Sequence, residues 1–122
     1  MTKVPMGELE AAVMDALWDA GGWQTPGEVH EVVTAGRPLA YTTVMTVLLR
    51  LWQKGRLERQ RDGRAYAYRP VKTREQYAAE RMSQLLIAAG NRPKALALFL
   101  DGLRPADRAQ LRRLLGDRGP LR

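Results

Sequence analysis

Along residues 8–20, ELEAAVMDALWDA, Leu9, Val13, Ala16 and Leu17 recur at helical spacing while Glu8, Glu10, Asp15 and Asp19 occupy the rest of the wheel. Gly21 and Gly22 end that predicted helix. Thr25, Pro26 and Glu28 then stand in capping-box order: Thr25 accepts from first-turn amides, Pro26 sits where no amide bond is lost, and Glu28 reaches back. A short second helix follows, with Val29, Val32 and Val33 expected inward, and stops at Gly36-Arg37-Pro38. The third runs from about Ala40 to Lys54, its buried stripe formed by Val44, Val47, Leu48 and Leu51 and its stop by Gly55.

The period then changes. LERQR and RAYAY alternate on either side of Asp62-Gly63, a dipeptide suited to a two-residue hairpin turn. A turn at those two residues sets Leu57 opposite Tyr68, Arg59 opposite Tyr66 and Arg61 opposite Arg64, all on one face. The ribbon is then aromatic at its base and cationic at its tip. Opposed arginines repel, an arrangement that suits a tip resting on phosphates.

Beyond Pro70 helical spacing returns. A helix over Thr73 to Ala89 opens with a second capping box, Thr73 to Gln76, and presents Tyr77, Met82, Leu85 and Leu86. Gly90-Asn91 breaks it. Two shorter helices follow, near Pro93 to Asp101 with Leu96, Phe99 and Leu100, and near Pro105 to Leu115 with Leu111, Leu114 and Leu115. These stripes are too sparse for a private core, so they call for a second copy of the chain. The expected fold is mainly α with a small β-hairpin wing: a winged helix-turn-helix over residues 1–72 and helical dimerisation segments over 73–122.

Charge sharpens this reading. The chain has 122 residues and a net charge of +7. Residues 37–74 hold ten Lys and Arg against two Asp and Glu, a net +8, whereas residues 1–36 carry −5 and residues 75–122 carry +4. Positive potential concentrated on one helix and its hairpin can replace counterions on phosphates. Cysteine is absent, which excludes disulfides and thiolate ligands, and no apolar run approaches the ~20 residues of a membrane-spanning helix. Acidic Glu8, Glu10 and Asp15 stand where a signal peptide would need a hydrophobic run, so a cytoplasmic chain without membrane insertion is expected.

In the order helix, helix, helix, basic hairpin, the third helix enters the major groove and the wing touches flanking backbone. The stripe assigned above leaves Ala40, Thr42, Thr43, Met45, Thr46 and Arg50 on or beside the outward face. Threonine can meet a base edge or a phosphate, alanine and methionine can pack on thymine methyls, and Arg50 can take a phosphate or a guanine. Lys54, Arg59, Arg61 and Arg64 lie on flanking elements and are expected on phosphates. Singly, each of these residues is equally well a cap or a solvated surface group; together they point to double-stranded DNA.

Other chemistry finds no support. His30, the single histidine, stands between Glu28 and Glu31 and reads as a surface residue rather than a ligand or base. Trp18 and Trp52 lie beside apolar stripes and read as packing residues, and Trp23 stays undecided. No phosphate-cradling glycine loop, nucleophile elbow or histidine-carboxylate cluster is present, so neither an enzyme nor a cofactor or metal is expected. The alternative function is a winged-helix interaction module whose hairpin binds an acidic protein. A small hydrolase would need a cofactor site that the sequence does not show.

The segments MGELEAAVMDALW at 6–18, VHEVV at 29–33, LAYTTVMTVLLRLWQKG at 39–55 and RDGRAYAYRPV at 61–71 make the chain similar to the penicillinase-repressor (BlaI/MecI) family of winged-helix regulators, in its actinobacterial form. The resemblance covers most of residues 6–86. It implies a homodimeric repressor on a dyad operator built around TACA and TGTA half-sites, with interlocked C-terminal helices. It also implies control of β-lactam-response genes and release when a membrane-bound sensor metalloprotease leads to cleavage in the dimerisation region. Two departures stand out. Some members carry lysine and arginine where this chain has Thr42 and Met45, which implies a different operator. The Asn-Phe bond cut in some relatives has no counterpart in Leu98-Phe99-Leu100-Asp101, so the resemblance puts cleavage only in the region of Phe99 and Leu100. The copper-responsive branch of the family relies on a cysteine-rich tail, which this chain lacks.

Overall fold

The computed structural model describes residues 6–118, the side chains of residues 117 and 118 excepted. In chain order its elements are α1 (Met6–Ala20), α2 (Pro26–Thr34), α3 (Tyr41–Gln53), β1 (Leu57–Asp62), β2 (Ala65–Pro70), α4 (Arg74–Ala88), α5 (Arg92–Asp101) and α6 (Pro105–Arg118). The expected class, mainly helical with one hairpin wing, is the one observed.

The first three helices enclose one core. Leu9, Val13 and Leu17 of α1, Val29 and Val33 of α2, and Val44, Val47, Leu48 and Leu51 of α3 are buried together, and Leu57 and Tyr68 seal the cluster from the hairpin. Each stripe follows the helical period, so burial of these lines fixes which side of α3 can face outward. Val32 is a correction: it is 57% exposed. The nine-residue α2 buries only the line of Pro26, Val29 and Val33, and Val32 falls on the flank beyond that contact.

The caps that the sequence spells out are formed. Thr25 Oγ1 accepts from Glu28 N–H at 3.3 Å, and Glu28 Oε1 accepts from Thr25 N–H at 3.0 Å. At α4, Thr73 Oγ1 accepts from Gln76 N–H at 3.1 Å and Gln76 Oε1 accepts in return from Thr73 N–H at 2.9 Å.

The hairpin differs from expectation in register. Leu57 pairs with Pro70, Arg59 with Tyr68, Arg61 with Tyr66 and Asp62 with Ala65, so the turn residues are Gly63 and Arg64. Gly63 has φ +67°, and among the described residues no non-glycine residue has positive φ. Only the first central residue is therefore left-handed, the type II′ pattern, whereas a turn at Asp62-Gly63 would force Asp62 into that region as well. The face assignment survives, because each partner moves by two positions. Arg61 now lies across from an aromatic ring, and the opposed pair of arginines does not occur.

A connection absent from the sequence reading reinforces the hairpin: Gln24 N–H donates to the Tyr68 carbonyl at 2.9 Å and Tyr68 N–H donates to the Gln24 carbonyl at 2.8 Å. The loop after α1 thus acts as a one-residue third strand.

The chain divides into two compact units, one ending at Tyr77 and the next starting at Ala78. The first turn of α4 belongs to the first of these units. In the second unit no described residue is fully buried. Among the described residues no helix is long and apolar enough to cross a membrane.

Candidate nucleic-acid interface

Helix α3 has two faces with opposite fates. Val44, Val47, Leu48 and Leu51 are each no more than 1% exposed. On the opposite line, by the period of about 3.6 residues per turn, stand Thr42, Thr46, Leu49 and Gln53, all exposed. Of the residues expected at a DNA surface, Ala40, Thr42, Met45, Thr46, Arg50, Arg61 and Arg64 are exposed, and Thr43 and Arg59 are half-buried. Tyr41, Leu49 and Gln53 belong to the same outward surface and were not singled out in the sequence. The spacing that located the buried stripe also marks them; their mixed chemistry hid them.

The start of α3 is electrostatically open. Its N-cap residue, Ala40, supplies no side-chain acceptor, and no acidic residue stands in the first turn. The positive end of the helix dipole is therefore left unneutralised by its own cap and first turn. Thr46 Oγ1–H donates to the Thr42 carbonyl at 2.9 Å, which commits its proton inside the helix and leaves its lone pairs as acceptors.

His30 sets where this helix begins. Its Nε2 lies 2.8 Å from the Leu39 carbonyl, and since a carbonyl can only accept, the proton is on Nε2. The ring also meets Tyr41 edge-on at 5.7 Å between centroids. Expected as a solvated surface residue, His30 instead ties α2 to the entry of α3.

The cations divide into engaged and unengaged groups. Lys54 Nζ donates to both carboxylate oxygens of the buried Glu10, at 2.8 and 3.0 Å, so that much of its charge is offset within the chain. Arg59 is held between Trp52 and Tyr66, its guanidinium carbon 3.6 and 4.0 Å from the two ring centres. Arg61 lies 5.5 Å from the Tyr66 ring. Arg69 is bonded to Glu58 and lies over Trp23 at 4.3 Å, which gives that undecided tryptophan its place. Among the described residues Arg50 and Arg64 have no ion pair. On α3 and the hairpin they are the described cations with neither an ion pair nor a ring contact, and so the ones on that surface most free to meet an outside anion.

These contacts also orient the parts. The Lys54 flank of α3 faces α1 through Glu10, whereas the flank carrying Met45 and Trp52, seven positions apart, meets the hairpin through Arg59. The wing is thus attached beside the outward face of α3.

In the second unit, Met82, Leu85, Leu86, Leu96 and Phe99 line an apolar cavity of about 530 Å³ between α4 and α5. Leu85 is 63% exposed, and Leu100, Leu114 and Leu115 are exposed as well; Leu86 and Leu111 are half-buried. Tyr77, expected with this group, packs instead in the first unit, 5.6 Å from the Trp18 ring and with Arg56 over its face at 4.9 Å. Among the described residues no group of His, Asp and Glu could hold a metal ion.

Comparison with known proteins follows the same lines. The sequence pattern of the family described as Penicillinase repressor matches residues 6–117. The transcriptional regulator BlaI of Mycobacterium tuberculosis, in strains CDC 1551 / Oshkosh and H37Rv, is 44% identical to the chain over 115 residues, which is 92% of this chain and 83% of the relative. The solution structure of the DNA binding domain of the repressor BlaI is 29% identical and superposes with a TM-score of 0.51, covering 61% of this chain and 90% of that domain.

Proposed function

Since the chain belongs to the penicillinase repressor family, we propose that it is a DNA-binding transcriptional repressor, not an enzyme, and that it occludes a promoter as a homodimer on a dyad operator. The observation that carries this reading is the division of α3, whose uncharged outward line is exposed while the line behind it is fully enclosed. Thr42, Met45 and Thr46 then read base edges, Arg50 and Arg64 take phosphates, and Arg61 adds to the wing's positive potential. Two copies, joined through the apolar faces of α4, α5 and α6, present two such helices to two half-sites.

The family also supports a signal. The regulated genes would belong to a β-lactam response, with release in the cytoplasm by cleavage near Phe99 and Leu100 through a membrane-bound sensor metalloprotease. One physical feature favours that region: α5 is ten residues long and buries no side chain within its own chain, so only contacts with the second copy would hold it closed against a protease.

The test is retardation of duplexes carrying the protein's own promoter, with a random duplex as control, across a salt series. A dimer contacting about eight phosphates gives a log-log slope near −7. No retardation of either duplex at low salt would sink the proposal and leave the alternative of a module for an acidic protein partner.

A further inference from the structure

Arg59 has a basic side chain on the wing, yet the geometry points to a task other than phosphate contact. Its guanidinium lies between the rings of Trp52 and Tyr66, at 3.6 and 4.0 Å from their centres. Trp52 is in the last turn of α3, Arg59 is in β1 and Tyr66 is in β2, so the stack joins three elements. A planar guanidinium can stack a ring on each of its two faces, whereas the compact, strongly hydrated ammonium of lysine has no flat faces to stack.

The position of the stack along the hairpin gives it its role. Leu57, Ala67 and Tyr68 are buried at the base, Arg59 and Tyr66 are half-buried, and every residue from Gln60 to Ala65 is exposed. A two-stranded ribbon is marginal by itself, and the stack is its outermost tie to the helices. Everything distal to it, including Arg64 in the turn, is aimed by it.

Trp52, Arg59 and Tyr66 are therefore positioning residues: they hold the wing tip in register with α3 so that Arg64 and the outward face of α3 meet one duplex together. This rests on the DNA-binding reading above. It assigns Arg59 by its planarity rather than by its charge.

The experiment uses the full chain and a duplex that the wild-type protein selects from a random library. Arg59→Lys keeps the charge and loses the stack, so it is expected to bind several-fold more weakly, as Trp52→Leu and Tyr66→Leu also do. Arg64→Ala is expected to cost about fivefold to tenfold in the wild-type background but less than about twofold beside Trp52→Leu or Tyr66→Leu. Thr46→Ala is expected to cost the same factor in all backgrounds, which a general loss of stability would not produce. A second arm needs no DNA: amide exchange over residues 60–65 speeds up in Trp52→Leu and Tyr66→Leu while α1 keeps its protection. Wild-type affinity in Arg59→Lys, or an undiminished Arg64 effect beside Trp52→Leu, overturns the assignment. If the wild-type chain retards no duplex, the repressor reading falls, and unchanged hairpin exchange in the variants overturns the stack's role separately.

Discussion

The indole N–H of Trp18 donates to the carbonyl of Lys72 at 3.0 Å, joining residues 54 positions apart in the sequence. The bond ties α1 to the segment that leads from β2 into α4. Around it, Arg74 reaches Asp19 at 3.1 Å and Asp15 at 3.4 Å, and Tyr77 lies against the Trp18 ring. Hydrogen bonding to Asp19 raises the already high pKa of Arg74, so the guanidinium stays charged at any working pH. Trp18→Phe keeps an aromatic ring beside Tyr77 but removes the N–H donor together with part of the ring that packs against the core. The expected loss is about 1 kcal/mol in urea-induced unfolding. A midpoint equal to that of the wild type would mean that water replaces the indole without cost.

Thr25 and Glu28 cap α2 reciprocally, and this makes a small part of stability depend on pH. The Thr25 backbone N–H, then its hydroxyl, holds the Glu28 carboxyl below the usual carboxylate range. A folded pKa below the unfolded one contributes stability above the unfolded value and loses it as pH falls through the folded one. Unfolding midpoints of wild type and Glu28→Gln should therefore differ at neutral pH and converge in acid. Thr25→Ala should cost about 1 kcal/mol. A gap between wild type and Glu28→Gln that stays constant down to acid pH would show that the cap acts without its charge.

Adjacent leucines on α3 separate folding from recognition. Leu48 is 0% exposed and Leu49 is 40% exposed. Leu48→Ala should destabilise the chain by about 2–5 kcal/mol, because the neighbouring Val44, Val47 and Leu51 cannot close the cavity. Leu49→Ala should change stability by less than about 0.5 kcal/mol. Binding to a selected duplex, measured where both variants are folded, should reverse the order, with Leu49→Ala and Thr42→Ala weaker than Leu48→Ala. Equal binding losses in all three would mean that the outward line does not meet DNA.

The residues that were legible in the sequence were those whose role is local and periodic. The stripe Val44, Val47, Leu48 and Leu51 and the Thr25 and Thr73 boxes follow from spacing alone, because helix geometry makes neighbours of positions three and four apart. The hairpin was legible in place and face but not in register: Asp62-Gly63 is the stronger turn signal, yet Gly63-Arg64 needs only one left-handed residue. Lys54 on Glu10, His30 on Leu39 and Arg59 between Trp52 and Tyr66 were not legible. Each joins separate elements, and nothing in composition says which cation will be drawn inward and which left out. Arg50 and Arg64 differ from Arg59 only in what the fold places beside them.

Phe99 tests the second unit. It is 46% exposed in a single chain and lines the apolar cavity with Met82, Leu85, Leu86 and Leu96. Large apolar groups left in water on three helices, with no described residue of the second unit fully buried, are what the proposed homodimer would cover with a second copy. Phe99→Asp puts a charge where that copy would exclude water, and a charge without a partner there is strongly disfavoured. Sedimentation equilibrium should then report the mass of one chain where the wild type reports two. Because the two half-site contacts would no longer be linked, affinity for a dyad duplex should fall about a hundredfold or more. Affinity for a duplex with one half-site should stay at the wild-type value, since residues 41–53 and the hairpin are untouched. A Phe99→Asp protein that still sediments as a dimer would move the interface away from this cavity, and one that loses half-site binding as well would tie Phe99 to the integrity of the winged helix.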